Sequence, residues 1–261
     1  MKIVDTHCHA GHNWFEPVDL LIYQMDANDV EHAVLIQHGG NFDATYLLDC
    51  VTGYPGKFAA VVIVDHRQSK ALSELERWAT GGAAGIRLGP SDRSPGHDPL
   101  AIWRKASELG LVVSCQGTVR EFASKEFRSL VAELPDLTVV IEHLAGTVEG
   151  MEPPYRMFRE ALLLADYPNT YIKVPGLGEF SPRPSVMRPA FGFDQTPPLI
   201  ELAYRAFGPR RMMWGSDYPP VSSREGYRNA LLGVKDHPAL PDDTDKEWVM
   251  GKTALSVFKF D

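Results

Sequence analysis

The chain has 261 residues, 44% of them hydrophobic and 23% charged, enough for a large core without disulfides or metal staples. Its formal charge of −8 argues against non-specific nucleic-acid binding and against binding to an anionic membrane surface. Three cysteines (Cys8, Cys50, Cys115) lack metal-finger or CxxC spacing, and no apolar run is long enough to span a bilayer; a cytoplasmic protein with reduced thiols is expected.

Short runs rich in Val and Ile recur, each followed by a polar loop and a stretch with helical spacing. The first is KIVDTHCH at the start of the chain. Period-2 alternation there predicts Asp5, His7 and His9 on one face, with Thr6 and Cys8 on the other. Two imidazoles on a rigid strand suit a divalent ion, but HxH alone is a weak motif: core histidines satisfied by hydrogen bonds read the same way. His12 follows closely enough to reach the same pocket.

HAVLIQ at 32–37 and FAAVVIVD at 58–65 are the next two strands, then AAGIRLG at 83–89, which carries Arg87. Burying a guanidinium is costly unless an anion meets it, and a fork at the strand end could hold a substrate carboxylate. Arg93, in the loop that follows, is a weaker candidate of the same kind. LVVSCQG at 111–117 is the fifth strand, and TVVIEHLAG at 138–146 is the sixth, ending at His143. TYIKVPGLG at 170–178 places Lys173 inside the seventh, where either a substrate anion or a neighbouring acid could meet it. RMMWGSDYP at 211–219 is the eighth, ending at Asp217, with Tyr218 beside it as a pocket wall. Asp217 could be a metal ligand, a general base for water, or both in sequence; a helix cap fits its setting too.

Eight such units without a composition break predict a single (β/α)8 TIM barrel over 1–261, an α/β fold, rather than a doubly wound sheet, since no Gly-rich phosphate loop follows the first strand. His7, His9, His143 and Asp217 then converge on the C-terminal mouth, where barrel enzymes build their sites. Three Pro/Gly-punctuated loops leave the same face: GPSDRSPGHDP, TVEGMEPP and the longest, EFSPRPSVMRPAFGFDQTPP. They read as lids or as plain surface insertions. In the last, Phe180, Met187, Phe191 and Phe193 suit either a homo-oligomer contact or a lid over the pocket.

Over nearly its whole length the sequence resembles the amidohydrolase superfamily, in the amidohydrolase-2 branch of lactonases and metal-dependent decarboxylases. The resemblance rests on VDTHCH, VEHAVLIQHGGNFDATYLLDCVTGYPGKFAAVVIVD, GIRLG, IEHLAG, YIKVPGLGEF, WGSDYP and GKTALSVF. It implies that His7 and His9 are the first-strand pair, with Asp217 as third ligand of one divalent ion, zinc first. It implies that His143 and Asp217 are catalytic and that Arg87 binds substrate. One departure stands out: Gln116 occupies the place where metal-binding members carry a fifth-strand histidine. A neutral amide oxygen is a poor zinc ligand, so Gln116 is expected in the pocket wall and the ion to be weakly held or dispensed with. The expected activity is hydrolysis of a sugar-acid or carboxylated lactone, a small-molecule substrate, with a decarboxylase as the alternative.

Overall fold

A computed structural model describes residues 1–146, 152–186, 192–193 and 195–260. All eight expected strands form: β1 Val4–Cys8, β2 His32–Ile36, β3 Phe58–Val62, β4 Gly85–Leu88, β5 Val112–Cys115, β6 Val139–Ile141, β7 Thr170–Val174 and β8 Met212–Trp214. They pair in sequence order, each parallel to the next, and alternate with helices as a (β/α)8 barrel.

Alternation along the strands divides the core in two. The outward residues, such as Leu35, Ala60, Ile86, Val113, Ile141 and Trp214, pack under the helices in one large cluster. The inward ones make a small plug of Val34, Ile36, Ala59, Val61, Val112, Val140 and Met213, joined by Phe258 from the chain's last segment. Farther along the same inner faces, Arg87, Ser114 and Lys173 are buried and polar. The barrel interior is therefore apolar at one level and ionic at the next.

The seam between β8 and β1 is closed mainly by groups beyond a regular ladder. One parallel bridge joins Cys8 to Tyr218. The Asp217 N–H donates to His7 O at 2.9 Å and the His9 N–H to Tyr218 O at 2.7 Å. The Thr6 hydroxyl donates to Trp214 O at 2.6 Å, and the Ser216 N–H to Asp5 Oδ1 at 2.8 Å. At Gly215 a Cβ would stand 2.7 Å from the His7 Cβ, so only glycine admits this approach.

Here simple alternation fails. The β1–β2 register shifts between Asp5 and Cys8, a bulge that inserts one residue and re-aims the side chains beyond it. Asp5 consequently turns to Ser216 and Cys8 instead of joining His7 and His9. Tyr218 is displaced from its expected role by the same seam. Its carbonyl holds His9, while its buried ring packs edge-on to Tyr227, 6.0 Å between centroids, on the helix side.

Thr6→Val should leave the shape and expose the worth of the seam bond. With Trp214 O left unsatisfied and buried, a loss of about 1–3 kcal/mol is expected, read from urea unfolding midpoints at unchanged m-value.

Candidate active site

A cavity of ≈ 1300 Å³ opens at the C-terminal ends of the strands, with His9, Arg87, Gln116, Glu142, His143 and Asp217 in its wall. His7 lies just beneath, 1% exposed. Its Nε2 is 3.3 Å from His143 Nε2 and 3.9 Å from Asp217 Oδ1. His9 Nε2 is 3.5 Å from the same Oδ1, and its Nδ1 donates to Ile36 O at 2.6 Å. Asp217 Oδ2 accepts from Arg224 Nη1 at 3.0 Å. The three histidines and the aspartate thus meet, as their strand ends predict.

Two turns achieve this, both left-handed. His143, Leu144 and Ala145 have φ of 49°, 47° and 63°, followed by Gly146 at 74°. Left-handed backbone costs a non-glycine residue roughly 1–2 kcal/mol, and such strain gathers at functional sites. Its effect here is plain. Successive strand residues point to opposite faces, yet Glu142 and His143 both reach His7, the former at 3.9 Å. Asp217, at φ 59°, makes the matching bend after β8. Gly146 closes the first turn against β5's loop; a Cβ there would lie 2.1 Å from Gly117 O.

Glu142 is the residue that the strand pattern left unremarked. Fully buried, it accepts from Arg87 Nη2 at 2.7 Å, from Arg87 Nε at 3.2 Å and from Ser114 Oγ at 2.7 Å. Lys173 Nζ stands 4.0 Å away and donates to Ser114 Oγ at 2.8 Å. Burial would raise the Glu142 carboxyl, but Arg87 and Lys173 outweigh it and hold it well below the usual carboxylate range. Burial pulls Lys173 down to about 8 against the pull of Glu142. His7 is pushed well below its ordinary value by burial and then by the Lys173 ammonium.

His143 donates from Nδ1 to Glu179 Oε1 at 2.9 Å; against burial, that carboxylate raises it. For Asp217, burial is overcome by the His9 hydrogen bond and the charges of His143, His9 and Arg224, which keep it below its ordinary value. Glu179 and Arg224, 3.5 Å apart, come from loops with no strand-end signal in the sequence. Glu142 did carry one: a buried arginine and lysine on neighbouring strands demand an anion.

Several expected pocket residues sit differently. Lys173 lies below the cavity, because β7 delivers it one level deeper; it meets Ser114, His7 and Glu142. His12 is exposed and packs on the Tyr46 ring at 4.2 Å, outside the cavity wall. Tyr218 belongs to the seam, and Arg93 turns its guanidinium to Pro90 O and Asp92 O in its own loop. Arg87 does reach the wall, but Glu142 occupies its fork. Gln116 lines the wall and is exposed. Of the proposed lids, 147–151 and the positions Met187 and Phe191 lie outside the described residues.

The donors fit a metal ion in position. One ligand atom from each of His7, His9 and Asp217 lies within 4.8 Å of the others. Tetrahedral zinc ligands at about 2.0–2.1 Å need only a modest contraction from those spacings. The Ile36 carbonyl orients His9 in the manner of an outer-shell partner, leaving Nε2 free to ligate. A second group, His7, Glu142 and His143, is also compact, but its carboxylate is already committed to Arg87.

A family model described as Amidohydrolase matches residues 4–260. No curated protein sequence matches the chain. Among solved structures, the fold is similar to a putative 2-pyrone-4,6-dicarboxylic acid hydrolase from Pseudomonas putida, 21% identical, TM-score 0.75, covering 100% of this chain and 98% of that one. It is similar to an amidohydrolase from Burkholderia multivorans with bound zinc, 17% identical, TM-score 0.78, over 100% of both chains. A 5-carboxyvanillate decarboxylase from Sphingomonas paucimobilis, 15% identical, TM-score 0.62, matches 100% of this chain and 99% of its own.

Variants at three positions probe this arrangement. Arg87→Met leaves Glu142 with Lys173 as its nearest remaining cation and the Ser114 hydroxyl as a donor, and should cost about 3 kcal/mol, the low end for a broken buried pair. Gly146→Ala meets both the left-handed φ and the Gly117 carbonyl. It should lose about 2 kcal/mol or more, whereas Gly39→Ala, with open space around it, should be near neutral. Chemical denaturation reads all three.

Proposed function

Since the chain belongs to the amidohydrolase family, we propose that it hydrolyses a lactone or similar cyclic ester carrying hydroxyls or a carboxylate. The observation that carries this reading is the placement of Asp217. Its Oδ1 faces His9 in the cavity wall and His7 just beneath it, and its Oδ2 is tied to Arg224. A carboxylate held ionised, with one oxygen restrained and the other facing polar groups, is suited to take a proton from an attacking water.

In this reading the water adds to the lactone carbonyl as Asp217 Oδ1 accepts its proton. His9, in the cavity wall beside Asp217, is placed to stabilise the developing oxyanion. Arg87, steadied by Glu142, fixes the substrate's polar substituents at the wall. A divalent ion, zinc as in the Burkholderia relative, would be held by His7, His9 and Asp217 and would supply Lewis-acid polarisation of the carbonyl.

Gln116 supports a lactonase over the alternative, a metal-dependent decarboxylase of an aromatic or unsaturated acid. By the resemblance, decarboxylases of the branch generally keep a fifth-strand histidine, where this chain has the exposed amide of Gln116. Cys8, Cys50 and Cys115 are all free and buried, which supports a reducing compartment such as the cytoplasm. Among the described residues, no helix is long and apolar enough to cross a membrane.

A panel of sugar-acid and carboxylated lactones, followed by proton release, tests the reaction class; carbon dioxide evolution from aromatic acids would favour the decarboxylase. With an active lactone in hand, Asp217→Asn should lower kcat by roughly 10²–10⁴-fold. Near-normal turnover in that variant would remove Asp217 as the base.

A further inference from the structure

The hydrogens on the three imidazoles can be counted from their neighbours. Carbonyl and carboxylate oxygens only accept, and an ammonium only donates, so each decides which ring nitrogen carries hydrogen. Ile36 O, 2.6 Å from His9 Nδ1, puts a hydrogen there, and Asp217 Oδ1 faces the other His9 nitrogen, Nε2, at 3.5 Å. Glu179, 2.9 Å from His143 Nδ1, does the same for His143 and leaves its Nε2 lone pair.

His7 is the exception. Its Nδ1 faces Lys173 Nζ at 3.3 Å. That ammonium also donates to Ser114 Oγ, whose own hydrogen goes to Glu142 Oε1. The His7 Nδ1 must then accept, so the hydrogen sits on Nε2, 3.3 Å from the His143 Nε2 lone pair. Every direction agrees: Lys173 donates to His7, His7 to His143, and His143 to Glu179.

We infer that Lys173 is a positioning residue that fixes His7 as the Nε2–H tautomer, making it a hydrogen-bond donor and opposing its use as a metal ligand. An ion held by His7, His9 and Asp217 needs the His7 Nε2 lone pair. The hydrogen would have to move to Nδ1, where it meets a hydrogen of Lys173. The other acceptor at that edge, Glu142 Oε1, is 3.9 Å away and already receives Ser114 and Arg87. Three donors stand in place, then, but one is in the wrong tautomer. This assignment describes the resting site and does not depend on the lactone reading.

Long-range ¹H–¹⁵N spectra of chelator-treated protein, labelled at its histidines, read the ring nitrogens directly. Wild-type His7 should be protonated on Nε2. In Lys173→Met an Nδ1–H population should emerge, and Lys173→Arg, which also only donates, should restore the wild-type pattern. Calorimetric zinc titration should show Lys173→Met binding at least about tenfold more tightly than wild type, the scale of outer-shell effects. Adding His7→Ala should abolish the gain. A wild-type His7 protonated on Nδ1 overturns the inference without recourse to any variant. So does a folded Lys173→Met protein whose tautomer and zinc affinity match wild type. Failure to open lactones would count against the proposed reaction and leave these readouts unchanged.

Discussion

The charge of Glu142 is the constraint around which the site is arranged. An ionised carboxylate taken out of water loses several kcal/mol of hydration even after relaxation, and only close, well-directed partners offset that. Glu142 has Arg87 in a forked contact, the Ser114 hydroxyl, and Lys173 at 4.0 Å. These partners come from β4, β5 and β7, so one anion ties three strands to the end of β6. None of the four side chains can shift alone without leaving a buried charge or donor unmatched. The imidazoles above them therefore rest on a floor fixed by electrostatics as much as by packing.

Strain completes what charge begins. Extended strands could deliver only every second residue to the mouth, yet the site needs both Glu142 and His143, and needs Asp217 to turn back over β1. The left-handed backbone at His143–Gly146 and at Asp217 supplies those turns. Each bend is clamped from outside: the first by the Gly117 carbonyl against Gly146, the second by the Asp217 N–H bonded to His7 O. The geometry around His7 is the product of two unfavourable conformations that the barrel's remaining contacts hold in place.

How far the sequence foretold this depends on what each residue answers to. The strands were legible because Val and Ile runs buried on both faces have few other uses in an α/β chain. His7, His9, His143 and Asp217 were legible because strand ends in a barrel share one mouth. Asp5 was not, since the bulge between Asp5 and Cys8 depends on how β1 meets β8, and no single strand's pattern encodes that. Tyr218 failed for the same reason. Glu179 and Arg224 join the site from loops, whose side chains find their partners only once the fold has formed. Glu142 was within reach, because two cations buried inside one barrel require an anion between them and β6 ends in a glutamate.

Lys173 shows why face alone does not settle a residue's role. Alternation put it correctly inside the barrel, but depth along the strand decides what it meets there. Its register partner is Met213, a member of the apolar plug, so its stem rises from that level and its ammonium stops at Ser114 and His7, below the cavity. Arg87 pairs in register with Ser114 and has the longer reach, and it arrives at the wall. A lysine one layer too deep to touch substrate can still act on the site, because it contributes only hydrogens. Placed against an imidazole, it selects which nitrogen faces the cavity with a lone pair and which with a hydrogen. The choice between metal ligand and hydrogen-bond donor at His7 is thus made from beneath, by a side chain with no contact to the cavity.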